Sequence, residues 1–214
     1  MHLSDAIIRA IVPLHVQCAD EERMGTAFWF QRSEHEAPHL VTAAHVVRDA
    51  ERIRVGTGGA AFTVDPTAVR MRPEVDLATL HPEVRPSAWL ESSWIARPQT
   101  LAAIEPIVVL GHPLGLVDEA SGTPIARSGI TATDPKVPFR GRPEFLVDAP
   151  CYPGSSGSPV LRYAPSEPVP IALLGILIGG PALRQGARTG ILSDWPTGDT
   201  FHLGVAVDAR YLTA

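Results

Sequence analysis

The 214-residue chain has a formal net charge of −5, with 45% hydrophobic and 19% charged residues. That balance is globular rather than disordered, and the negative charge argues against a broad nucleic-acid footprint. Its 18 glycines and 21 prolines leave little room for long helices, which excludes coiled coils and helical bundles.

In chain order, the N-terminal stretch MHLSDAIIRAIVPLHV comes first. It lacks a basic head before an apolar signal core, because Asp5 and Arg9 interrupt it. The expected location is therefore cytoplasmic, with Cys18 and Cys151 as free thiols. No apolar run approaches the roughly 20 residues of a membrane span; the longest, 171–178, reads as a buried strand. Short β-branched segments predict strands at 10–17, 25–31, 39–42, 51–56, 61–70 and 76–80. A second set follows at 104–111, 124–133, 144–148, 158–162, 171–179 and 202–207. Turn residues separate nearly all of them, the pattern of an all-β barrel or sandwich. Segment 81–103 has three prolines and no sustained period, so it reads as a linker between a first unit (1–80) and a second (104–214). Segments 133–144 and 181–200 are expected surface loops. Helical turns are expected at AAHVVRDA and in the tail VDARYLTA.

Three segments carry chemistry. PCYPGSSGSPV, at 150–160, sets a small-residue run between two strands. A nucleophilic serine needs open access to a carbonyl carbon and backbone N–H groups aimed at the developing oxyanion. Gly154 and Gly157 flank Ser156 in a way that permits both. Tyr152-Pro153-Gly154-Ser155 also has the composition of a type II turn. LVTAAHVV runs a strand into His45, and EVDLATL places Asp76 at the mouth of another. Taken singly, these read as a turn, a structural histidine and a cap. Together they supply a hydroxyl, a base to take its proton and an acid to orient that base. The six remaining histidines outside His45 and His112 are scattered, no Cys/His cluster has zinc spacing, and no metal or cofactor is expected. His112 reads as a structural turn residue. The four tryptophans do not alternate with basic residues as a nucleic-acid platform would.

These blocks resemble a trypsin-like serine protease of the chymotrypsin fold, nearest the bacterial HtrA-type protease domain. TAAHVV is similar to the family's block around the catalytic histidine, DLATL to that around its aspartate, and GSSGSPV to that around its nucleophile. GTAF at 25–28 and VLGHPLG with SGI at 109–130 resemble two further stretches, and the likeness runs from Ile11 to Val207. The resemblance implies two six-stranded antiparallel barrels with the active site in the cleft between them. It implies His45 as general base, Asp76 as its orienting acid and Ser156 as nucleophile. The N–H groups of Gly154 and Ser156 would form the oxyanion hole, and the substrate would be a protein or peptide, without nucleic acid or membrane.

The pocket for the residue before the cut is expected from Pro150, Cys151, Ile178, Gly179, Gly180 and Gly204. None of these is acidic, and Asp194 and Asp199 are placed in a loop, so cleavage after uncharged, mostly apolar residues is expected. Cys151 is read as a pocket-wall residue or a thiol sensitive to oxidation. Ser155 stands where trypsin-type enzymes carry an aspartate that pairs with a freed N-terminus, so activation by N-terminal trimming is not expected. The resemblance is expected to be to the protease domain alone, without PDZ domains. The alternative reading is a latent or inactive protease-fold module of a larger signalling or defence system, acting through a regulatory partner or appended domain.

Overall fold

The computed structural model describes residues 3–118, 121–166, 170–180 and 202–213. The expected 181–200 loop, with Asp194, Trp195 and Asp199, lies outside these residues.

A helix α1 (Leu3–Arg9) precedes the first strand. Sequence reasoning treated this stretch only as a non-signal and missed the helix; its cue is Ile7 and Ala10, both buried one turn apart. The first sheet holds β1 (Ile11–Gln17), β2 (Glu22–Gln31), β3 (His39–Ala43), β4 (Arg52–Val55), β5 (Phe62–Val64), β6 (Val69–Arg72) and β7 (Leu77–Leu80). Their order is β5-β4-β1-β2-β3-β7-β6, and β8 (Leu90–Glu91) pairs with β2 in parallel. The second sheet is a closed six-stranded barrel. Its strands are β9 (Pro106–Gly111), β10 (Ile125–Thr131), β11 (Glu144–Asp148), β12 (Pro159–Tyr163), β13 (Ile171–Gly179) and β14 (Leu203–Asp208), ordered β10-β11-β14-β13-β12-β9.

Two barrel-like sheets were expected, and two are present. The first differs in detail from a closed six-stranded barrel. Among the described residues no ladder joins β5 to β6, so the path stays open as a half-barrel. The segment 61–70, expected as one strand, breaks at Pro66 into β5 and β6. Proline has no N–H for the ladder, and Asp65 accepts from the Thr67 N–H (2.8 Å) to cap a 3-10 turn there. The segment 81–103 is also more than a tether. It contributes β8 to the first sheet, and Ile95 bridges to Leu173 of the second.

One hydrophobic core spans both sheets, from Phe28, Leu40 and Ile53 of the first to Leu173, Ile176 and Val207 of the second. A smaller cluster around Val109, Phe145, Val147 and Leu177 fills the closed barrel. Burying such side chains contributes roughly 1.5–3 kcal/mol each, which holds the two units in fixed register across the cleft.

Candidate active site

His45 lies in α2 (Ala44–Val47), the single helical turn that leaves β3. Gly25 of β2 lets this turn sit close, since a β-carbon there would stand 2.5 Å from Val46 Cγ1. The antiparallel register puts Ala43 opposite Leu77. The residue after Ala43 and the residue before Leu77 are therefore neighbours, which brings Asp76 to the start of α2. Three bonds close the contact. Asp76 O accepts from Ala44 N (2.9 Å), Oδ1 accepts from His45 N (2.9 Å), and Oδ2 lies 2.8 Å from His45 Nδ1. Asp76 is left-handed (φ 55°, ψ 39°), a conformation that a non-glycine residue holds only where its surroundings over-determine it. Against an ionised carboxylate, Nδ1 is the donor, which leaves Nε2 as the basic nitrogen. The His45 side chain is 37% exposed, and that of Asp76 is 17%.

Ser156 sits in a buried loop between β11 and β12. The turn before it is the expected type II turn. Ser155 N donates to Tyr152 O (3.0 Å), Pro153 occupies the second position, and Gly154 has φ +87°. Both units hold the loop. From the first, Thr26 N donates to Ser156 O (2.8 Å) and Thr26 Oγ1 to Gly154 O (2.9 Å). Gly157 (φ +90°) packs against Thr26 O and Thr42 Oγ1, where a β-carbon would clash. From the second, Gly157 N donates to Leu177 O (2.7 Å) and Leu114 N to Pro153 O (2.6 Å). Leu114 is itself left-handed at φ 56°. Because a trans peptide sets C=O and N–H on opposite sides, the Gly154 N–H faces away from Leu114. Neither that N–H nor the Ser156 N–H is claimed by any group among the described residues. Buried backbone donors are almost always paired, so two free ones on either side of Ser155 are available to an acceptor. Ser156 Oγ makes no hydrogen bond to His45 here; such contacts are often long until substrate is bound.

Of the expected pocket residues, the structure brings Gly204 against Cys151, while Ile178 is buried in the large core cluster. A β-carbon on Gly204 would stand 2.6 Å from Cys151 Sγ and 2.8 Å from Leu177 Cδ1. A bulge between Leu177 and Gly179 swings Ile178 out of the β13–β14 ladder, beside Gly180, whose β-carbon would stand 3.5 Å from Leu203 O. Burial pushes the Cys151 thiol up to about 11. A thiol so rarely ionised is a poor target for oxidants, which corrects the sequence expectation of an oxidation-sensitive residue.

A family model for the trypsin-like peptidase domain matches residues 25–167, two thirds of the chain. The chain belongs to the trypsin-like peptidase family. No curated protein sequence matches this peptidase. Solved structures share its fold. The HtrA-type protease AlgW with tripeptide matches at TM-score 0.67 and 17% identity, over 97% of this chain and 58% of that one. The active form of the Rv3671c protease from M. tuberculosis matches at TM-score 0.65 and 20% identity, over 97% and 79%. The serine endoprotease from Yersinia pestis matches at TM-score 0.62 and 16% identity, over 98% and 62%. The peptidase thus spans under two thirds of the length of the HtrA-type structure.

Sequence reasoning missed the residues that support the Ser156 loop. Thr26 donates to the loop through both N and Oγ1, and Oγ1 also accepts from His112 N (2.9 Å). Arg127 of β10 donates from Nη1 to Pro150 O (2.7 Å) and to Ser155 Oγ (2.7 Å). No local pattern marks either residue, since the contacts span 128 and 28 positions of chain. His112 is structural as expected. It is fully buried, and burial pushes its imidazole down to about 4, so it stays neutral.

Proposed function

We propose that the peptidase hydrolyses peptide bonds through an acyl-enzyme on Ser156. His45 Nε2 takes the proton from Ser156 Oγ as Oγ attacks the scissile carbonyl carbon. The carbonyl oxygen becomes an oxyanion bound by the Gly154 and Ser156 N–H groups. His45 returns the proton to the leaving amine, the tetrahedral adduct collapses to the ester, and a water activated by His45 then releases the acid. Asp76 holds the tautomer and stabilises the imidazolium. The observation that carries this reading is the pair of unclaimed N–H groups on a buried loop. Donors so placed act where charge develops, and losing one typically costs about 10²–10³ in rate.

None of the pocket residues Pro150, Cys151, Ile178, Gly179, Gly180 and Gly204 is acidic, and the Arg127 guanidinium sits behind the Pro150 carbonyl. A basic side chain entering there would be unpaired next to a cation, so cleavage follows uncharged, mostly apolar residues. The type II turn, with its donors already free, speaks for a resting form ready to act rather than a latent module awaiting a regulatory partner. The test is kcat/KM across a peptide library varied at the residue before the cut, for wild type and Ser156→Ala. Hydrolysis lost in the variant and favouring Val, Leu, Ala or Met supports the reading. A tenfold preference for Arg or Lys would overturn the specificity, and undiminished hydrolysis by Ser156→Ala would overturn the mechanism.

A further inference from the structure

Arg127 stands out among the buried polar residues. It lies on β10 opposite Val109 and is 9% exposed. Among the described residues its guanidinium pairs with no carboxylate, and burial lowers its pKa from the usual arginine value. Its Nε and Nη2 are shut off from solvent and have no partner among the described residues. An unpaired buried cation is costly to a fold, and a residue needed only for packing would be apolar at such a place.

What the cation does hold is specific. A single nitrogen, Nη1, donates 2.7 Å to Pro150 O and 2.7 Å to Ser155 Oγ. Both acceptors belong to the loop that carries the free Gly154 and Ser156 N–H groups, Pro150 near its start and Ser155 between the two donors. The middle is held from elsewhere, by Leu114 at Pro153 O and Thr26 at Gly154 O. Among the described residues Arg127 provides the only hydrogen bond to the Ser155 hydroxyl, one residue before Ser156. Its buried nitrogens cannot touch substrate, so any effect on the reaction passes through the loop.

We propose that Arg127 is the positioning residue of the nucleophile loop. By tying Pro150 to Ser155 through one nitrogen it fixes the span of the type II turn and keeps both N–H groups aimed at the oxyanion. The loop is then pinned by a cation of the chain's own sheet, and no freed N-terminal amine is needed. This inference rests on the reading of Ser156 as nucleophile.

The test compares wild type with Arg127→Met, Arg127→Lys and Ser155→Ala in the full chain. The readouts are kcat and KM on a peptide substrate, and the rate of fluorophosphonate labelling. Loop misplacement predicts a fall in kcat and in labelling rate of at least tenfold for Arg127→Met and about threefold for Ser155→Ala. KM should stay within about threefold, and Arg127→Lys should recover part of the loss. In the Ser155→Ala background, Arg127→Met should have a smaller effect than alone. If Arg127→Met does not fold, Ser155→Ala carries the test, because it keeps the cation and removes only its acceptor. Wild-type kcat in both Arg127→Met and Ser155→Ala would overturn this inference alone. A wild type that is unlabelled at Ser156 would overturn the nucleophile reading and this inference with it.

Discussion

The two halves of the site are built in different ways. His45 and Asp76 sit at the adjoining ends of two paired strands, and three bonds between 44–45 and 76 follow directly from the β3–β7 register. Ser156 sits on a loop whose bonds come from β2, from the turn after β9, from β10 and from β13. The His45–Asp76 half is a local consequence of one strand pair, while the Ser156 half depends on four distant supports. Local geometry is hard to disturb without breaking the sheet. A suspended loop can be tuned, or broken, by single residues far away in sequence.

The contrast predicts a graded set of losses. Asp76→Asn, which keeps the shape but removes the acceptor pair that fixes the His45 tautomer, should lower kcat by about 10³–10⁴; its thermal midpoint should change little, since the β3–β7 ladder remains. Thr26→Val should do the reverse in proportion. It leaves the buried Gly154 O and His112 N without their hydroxyl partner, at roughly 1–3 kcal/mol for each group. A clear drop in melting temperature should accompany a loss in kcat of about tenfold. If Thr26→Val left both unchanged, the loop would not depend on its distant supports.

Smaller effects follow from buried histidines. Burial, reinforced by the His81 charge, pushes His39 down to about 4 from 6.5, and burial does the same to His112. Between pH 6.5 and 4 the unfolded chain therefore binds more protons than the folded one, and stability falls as pH drops through that window. At about 1.4 kcal/mol per pH unit, each histidine withdraws up to about 3 kcal/mol by pH 4. Urea midpoints measured from pH 7 to 4 should decline, and His39→Phe should flatten the slope. The smallest effect concerns the thiols. Cys18 is buried and Cys151 titrates near 11, so both should react slowly with a disulfide reagent at pH 8 and rapidly after unfolding. Fast labelling of Cys151 in the native protein would place it outside the pocket wall.

The same contrast explains what was legible beforehand. The strands, the α2 turn and the type II turn at Tyr152–Ser155 rest on short-range patterns that can be read from residue order, whereas the pairing of His45 with Asp76, 31 positions apart, is reached only through the family resemblance. Where the reading missed, a local rule met a tertiary one. Pro66 split an apolar run that periodicity alone joins. A short amphipathic helix, Leu3–Arg9, was hidden because its segment was weighed only as an export signal. The open first sheet depends on which short edge strands pair, and no single segment encodes that. Arg127 on a strand reads as an ordinary solvent-facing residue, and its burial beneath the nucleophile loop becomes visible only when β9, β10 and the loop are brought together.

The proposed nucleophile is Ser156, in a site whose donors are already in place. The most direct measurement is intact-mass analysis and peptide mapping after incubation of the wild-type chain with a fluorophosphonate. The account predicts one adduct per chain, on Ser156, formed without prior proteolysis or a partner and absent from His45→Ala. An adduct on Ser155 or Ser158, or none at all on the folded wild type, would contradict it.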